Sequence, residues 1–200
     1  MNDNREYRVM SFNIEKRDKD ETPSYLVEGY ASTFDPYVLF SDGGVDYSEQ
    51  IDTKAFDNSD MSDCVFRVDH EGPVYARVSA GTVQLDVDDH GLHCVVDLSK
   101  TQRSRDLYED IAAGNYPQMS FAFTVSKDSY NRDTTTRTIL AIDKVFDISP
   151  VSFPANPGTE LDISTRDYFN GVIEAEKTER SERERIERAK KSLELRLRLL

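Results

Sequence analysis

The chemistry open to this chain centres on one serine and three histidines. Ser120 lies between Met119 and Phe121 in the run NYPQMSFAFTV, residues 115–125. Alternate side chains of an extended strand face opposite ways. Met119, Phe121, Phe123 and Val125 therefore share one face, and Gln118, Ser120, Ala122 and Thr124 the other. A hydroxyl on that small-residue face is reachable by a substrate, and the pattern suits a nucleophile and a solvated serine equally. A nucleophilic serine needs an imidazole to take its proton and a carboxylate to orient the imidazole. His70 ends the run CVFRVDH just before Glu71-Gly72-Pro73, where a strand passing into a Gly-Pro turn would put it at a rim. His90 falls in a tight turn beside Asp88 and Asp89, and His93 on the polar face of the following strand.

Metal chemistry is the competing reading. Asp86, Asp88, Asp89, His90 and His93 cluster in sequence, and a hydrolase using His90 and His93 with a metal is the corresponding alternative. No HExxH, paired Cys/His spacing or DxDxDG loop accompanies them, so neither a metal nor a cofactor is expected. GxxxxGK[ST] and GxGxxG are absent, which leaves nucleotide chemistry without support, and the missing GxSxG elbow argues against an α/β-hydrolase. Cys64 and Cys94 have no CxxC spacing and lie in apolar runs, reading as reduced small hydrophobes in a reducing cytoplasm.

The elements that must position these groups fit a chain of 200 residues, enough for one domain with an appendage. A net charge of −13 argues against a nucleic-acid-binding body, because phosphate contacts need a basic surface. No apolar run is long enough for a membrane span, and the N-terminal MNDNREYRVM lacks a signal-peptide core, so neither membrane insertion nor export is expected. The last 27 residues hold seven acids and nine bases, so −15 rests on the first 173. That shift accompanies a change of texture, and the chain divides into a body over 1–165 and a charged helical tail over 166–200.

Residues 6–14 and 24–31 read as strands, and 34–44 as a loop, with Pro36 and the run SDGG. Residues 52–57, DTKAFD, read as a short helical turn. TVQLDVDDHGLHCVVDL, residues 82–98, is a β-hairpin: Val83, Leu85 and Val87 alternate with polar residues, Asp88–Gly91 turns, and Leu92, Cys94, Val96 and Leu98 alternate again. Residues 104–113 read as a helix stopped by Gly114, and 137–148 as a strand, with Pro150, Pro154 and Pro157 breaking regular structure afterwards. In the tail, opposite charges three and four apart favour a helix, and Ile186, Ala189, Leu193, Leu197 and Leu200 recur at helical spacing. The fold class is mainly β with α additions, a barrel or sandwich.

Three blocks in order resemble a known family. Phe66–Arg77, FRVDHEGPVYAR, is similar to its histidine segment, followed by a Gly-Thr-Val strand and an Asp-x-x-Gly-Leu hairpin. Tyr108–Gly114 is similar to the helix that runs into its Met-Ser-Phe strand, here Met119–Phe121. Val145–Asn156 is similar to its third block, an acid followed by a strand and Pro-Ala-Asn. Over Tyr25–Asn156 the chain resembles the prohead (procapsid maturation) proteases of tailed bacteriophages, of the HK97-like kind. The resemblance implies a β-barrel ringed by helices, as in the herpesvirus capsid-assembly protease. It implies a serine endopeptidase with Ser120 as nucleophile, His70 as base and Asp147 as third member. Asp143 is the rival acid, since residues 143, 145 and 147 would face the same way in a regular strand; the family places its acid directly before Ile-Ser or Val-Ser, which favours Asp147. No oxyanion donor is assigned from the sequence; Arg77 is a candidate. Ala122 stands where the family often has glycine, Asp147 where it often has glutamate, and Asp69-His70-Glu71 where it often has Asn-His-Asp.

The implied setting is the immature phage capsid in the host cytoplasm. Major capsid protein, its scaffold segment and the protease itself are the implied substrates, and the tail is a docking or self-cleavage segment; a homo-oligomer is compatible with this. The alternative class is a non-catalytic capsid scaffold or interaction protein with the same barrel.

Overall fold

The computed structural model describes residues 4–10, 15–16, 25–152 and 163–197. Its strands are β1 (Glu6–Met10), β2 (Glu15–Lys16), β3 (Leu26–Thr33), β4 (Tyr37–Asp42), β5 (Val45–Ile51), β6 (Val65–Val68), β7 (Glu71–Arg77), β8 (Val83–Val87), β9 (Gly91–Asp97), β10 (Gln118–Asn131) and β11 (Thr136–Val151). The helices are α1 (Gln102–Ala112) and α2 (Ile163–Leu197). Two compact units result, residues 1–160 and 161–200.

The fold is mainly β with two helices. A seven-stranded sheet runs β1-β10-β11-β5-β4, with β6 and β7 added along β11, and a four-stranded sheet runs β2-β3-β9-β8. Among the described residues no barrel closes. The long β11 is antiparallel to β10 and gives its other edge first to β5, at Thr136–Ile139, and then to β6, at Asp147 and Ile148. Phe66, Phe121, Phe123, Leu92, Ile139, Ile142 and Ile148 are fully or almost fully buried between the layers. Each such side chain contributes about 1.5–3 kcal/mol through removal from water.

The β8–β9 hairpin has the expected register, with Val83, Leu85 and Val87 opposite Val96, Cys94 and Leu92. The α1 helix starts slightly earlier than its sequence pattern indicated. Thr101 caps it by accepting the Ser104 N–H at 3.1 Å, and Leu107, Tyr108 and Ile111 face the core. It is fastened to β7 by the Ser104 hydroxyl, which donates to the Tyr75 carbonyl at 2.9 Å. Gly114, at φ +86°, turns the chain out of α1 towards β10.

Two expectations are corrected. Residues 34–44 are not a loop throughout: β4 and β5 form a hairpin around Gly43 and Gly44, whose positive φ values of 58° and 82° suit a tight hairpin turn. Pro150 does not break β11, which continues to Val151 with Pro150 opposite Met119. Residues 52–57, read as a short helical turn, form successive turns, the first held by Asp52, whose carbonyl and carboxylate accept the N–H groups of Ala55 and Lys54 at 2.9 Å each. Residues 11–14 of the first expected strand, and Pro154 and Pro157, lie outside the described residues.

A buried ionic cluster ties β1 to the sheet. Arg8 donates to Glu49 through Nε at 2.5 Å and Nη2 at 2.9 Å, and Nη2 also meets Glu6 at 2.5 Å. Arg137 grips both oxygens of Glu6 at 2.6 and 2.9 Å and reaches Glu49 at 3.1 Å, and the Tyr37 hydroxyl donates to Glu49 at 2.5 Å. All four charged residues are at most 5% exposed. Burial pushes the Glu6 carboxyl up, but the Arg137 hydrogen bond and the charges of Arg8 and Arg137 outweigh it and hold the carboxyl below its ordinary value. A folded-state value below the unfolded one stabilises the fold above the ordinary glutamate range, and that contribution disappears as pH falls through the folded value. Glu6→Gln should therefore cost about 3–5 kcal/mol near neutral pH, because it leaves buried guanidinium groups short of charge. Urea titrations at several pH values check this: the gap from wild type should narrow in acid, and equal midpoints at pH 7 or a gap widening in acid would contradict the account.

Candidate active site

The hairpin β6–β7 turns through two residues, Asp69 and His70, with Val68 paired to Glu71. Both turn residues have positive φ, 46° and 59°. Consecutive positive φ values are the signature of the type I′ hairpin turn, which normally selects asparagine or glycine. The turn therefore precedes the Gly72-Pro73 pair, which lies in β7. Contacts to the end of β11 hold it: the Asp69 N–H donates to the Pro150 carbonyl at 3.2 Å, the His70 N–H to the Ser149 hydroxyl at 3.3 Å, and the Ser152 N–H to the Asp69 carboxylate at 2.9 Å.

Held there, the His70 imidazole bridges two side chains on neighbouring strands. Its Nδ1 lies 2.6 Å from Asp147 Oδ1 on β11, and its Nε2 lies 2.6 Å from Ser120 Oγ on β10. With the carboxylate ionised, Nδ1–H donates to Asp147 and Nε2 accepts the serine proton. Both distances are within reach for proton transfer. Asp147 and Ser120 are buried, Ser120 completely, and the His70 side chain is 16% exposed. The openly reachable hydroxyl expected from strand alternation is thus closed over, since both faces of β10 from Met119 to Phe123 are buried. Tyr7, on β1, sets its ring edge-on to the imidazole with centroids 4.7 Å apart.

The two acids of the third block are separated by bulges. Ala122 and Phe123 are consecutive on β10 but pair with Asp147 and Val145, so Phe146 is an extra residue on β11; a second shift leaves Asp143 unpaired between Lys144 and Ile142. A bulge reverses the side-chain alternation beyond it. Residues 143, 145 and 147 therefore do not share a face. Val145 enters the core, Asp147 faces Ser120 and His70, and Asp143 is exposed.

The other histidines lie apart from this group. The rings of His90 and His93 meet Tyr30 at 4.5 and 5.0 Å, His93 Nε2 lies 3.2 Å from Glu28, and the Tyr30 hydroxyl donates to Asp88 at 2.6 Å. Arg77 directs its guanidinium to Asp63 at 3.4 Å. Burial pushes the Cys64 thiol well up, with the Asp147 charge adding to it, and raises Cys94 to about 12, so neither is a ready thiolate. Sequence reasoning missed Ser149, buried directly across from Ser120, and Tyr7; the spacing Asp147-x-Ser149 on one strand face was the available signal for the former.

An alcohol, an imidazole and a carboxylate linked in this order form the arrangement by which serine hydrolases make an oxygen nucleophile. The family model described as caudovirus prohead serine protease matches residues 11–172, and the chain belongs to that family. It is a serine protease of bacteriophage capsid maturation, and the matched span contains Ser120, His70 and Asp147. Comparison with curated proteins and with solved structures gives no match.

The two acids can be separated by the rate at which a fluorophosphonate labels the chain. Asp147→Asn should slow labelling by about 10³–10⁴-fold, the loss expected when the imidazole is held in the wrong tautomer. Asp143→Asn should leave it within about twofold. The reverse order would give the role to Asp143.

Proposed function

We propose that Ser120, His70 and Asp147 are the catalytic triad of an endopeptidase that cleaves scaffold, or the scaffold segment of the major capsid protein, inside the prohead, and then cleaves itself. The observation that carries this reading is the unbroken relay with 2.6 Å on each side of His70. Nε2 takes the Ser120 proton as Oγ attacks the peptide carbonyl, and returns it to the departing amine. The resulting acyl-enzyme is released by water through the same imidazole acting again as base. Asp147 holds Nδ1 protonated and stabilises the imidazolium formed during each transfer.

Because Ser120 is fully buried, a substrate carbonyl reaches it only after a local opening around His70 and Tyr7. Confinement in a shell raises the concentration of protease and substrate together, so modest affinity is enough. The proposed kinship to the herpesvirus capsid-assembly protease rests on the family resemblance, with the two sheets standing for its barrel. We assign the charged helix within residues 166–200 to docking in the shell or to self-cleavage; its exposed ion pairs at three- and four-residue spacing, such as Arg180–Glu184 and Arg185–Glu182, favour the helical form.

Wild type and Ser120→Ala, each followed by intact mass over time, test the reading. Wild type should shorten, with cuts falling in the tail, while Ser120→Ala should remain at 22.9 kDa and be cut when wild type is added. A Ser120→Ala chain that shortens by itself at the wild-type rate would overturn the proposal. If that activity were also lost to a chelator, the metal reading through His90 and His93 would replace it.

A further inference from the structure

We infer that Ser149 is a positioning residue for the reaction, aligning acid and base through one hydroxyl; the inference rests on the triad reading above. Ser149 is completely buried and stands opposite Ser120 in the β10–β11 register, two residues beyond Asp147 on the same strand face. Its hydroxyl donates to Asp147 Oδ1 at 2.7 Å, the oxygen that also receives His70 Nδ1. It accepts the backbone N–H of His70 at 3.3 Å.

The direction of these bonds is fixed by chemistry. An ionised carboxylate only accepts and an amide N–H only donates, so the single hydroxyl proton must point to Asp147 and a lone pair to His70. One group thus fixes the carboxylate rotamer and the backbone of the histidine together. The second task matters because His70 sits at φ 59° and Asp69 at φ 46°, a backbone region that non-glycine residues rarely occupy and that surrounding contacts must impose. The Asp69 anchors, to the Pro150 carbonyl and to Ser152, hold the preceding residue; the Ser149 contact holds His70 itself. Alanine at 149 would remove a donor from a buried carboxylate and leave the His70 N–H without its acceptor, freeing the imidazole to swing between partners.

The test uses the full chain labelled with ¹⁵N-histidine, which carries three imidazoles. In wild type and in Ser120→Ala, a far-downfield Nδ1–H resonance should mark His70 hydrogen-bonded to Asp147. In Ser149→Ala that resonance should broaden by exchange or move upfield, while the His90 and His93 signals stay in place. Fluorophosphonate labelling of Ser149→Ala should slow about tenfold or more, the scale of one hydrogen bond to a charged group. Ser149→Thr, which keeps the hydroxyl, should restore both readouts. An unchanged His70 resonance with labelling within twofold of wild type would overturn the inference and leave the triad standing, as would a Ser149→Ala chain whose His90 and His93 signals shift too. A missing downfield resonance in wild type, or labelling that survives Ser120→Ala, would instead defeat the triad reading itself.

Discussion

The His70 imidazole spans Ser120 and Asp147 because the turn that carries it is held in a left-handed backbone conformation against the end of β11. A hairpin with ordinary negative φ would splay β6 from β7 and aim the ring elsewhere. The imposed geometry comes from one stretch of chain: Asp147 accepts the imidazole N–H, Ser149 the His70 amide and Pro150 the Asp69 amide, and Ser152 donates to the Asp69 carboxylate. β11 in turn is fixed in register by β10, so Ser120 and the groups that hold His70 are placed by neighbouring strands of one sheet.

On the proposed triad reading, the same sheet limits how a substrate can enter. At Ser120 the strand β10 is paired on both sides, with Val9 of β1 and Ser149 of β11. A peptide cannot extend the sheet beside the serine while β1 stays, and β1 is clamped by Arg8 and Glu6 to Glu49 and Arg137. Breaking such a buried pair is costly, so β1 is a fixed wall of the site. On that reading, access runs across the face bearing His70 and Tyr7, where Tyr7 is exposed and the imidazole is partly open to solvent.

Much of this was legible in residue order, and the failures have physical causes. The β8–β9 hairpin follows from strict alternation on both sides of a polar turn, and α1 from its apolar spacing and the terminal glycine. The β4–β5 hairpin read as loop because Pro36 and the run SDGG outweighed the short apolar alternation, although Gly43-Gly44 is itself a hairpin signal. Strand parity failed at Asp143 and Asp147 because a bulge at Phe146 adds one residue without a mark in the sequence; that ring lies 4.0 Å under the Arg5 guanidinium. Parity at Ser120 was right about direction and wrong about exposure, since burial depends on what β1 and the β6–β7 turn bring from elsewhere. The ionic cluster was invisible because Glu6, Glu49 and Arg137 are scattered along the chain and each alone reads as surface charge.

The central claim is that one imidazole, positioned by β11, activates one serine among the many this chain contains. Peptide mapping of the fluorophosphonate adduct, on the full wild-type chain and on His70→Ala, tests it most directly. The account predicts a single adduct on Ser120, formed at least about 10³-fold more slowly once the imidazole is removed. An adduct on another residue, or one on Ser120 whose rate does not depend on His70, would contradict it.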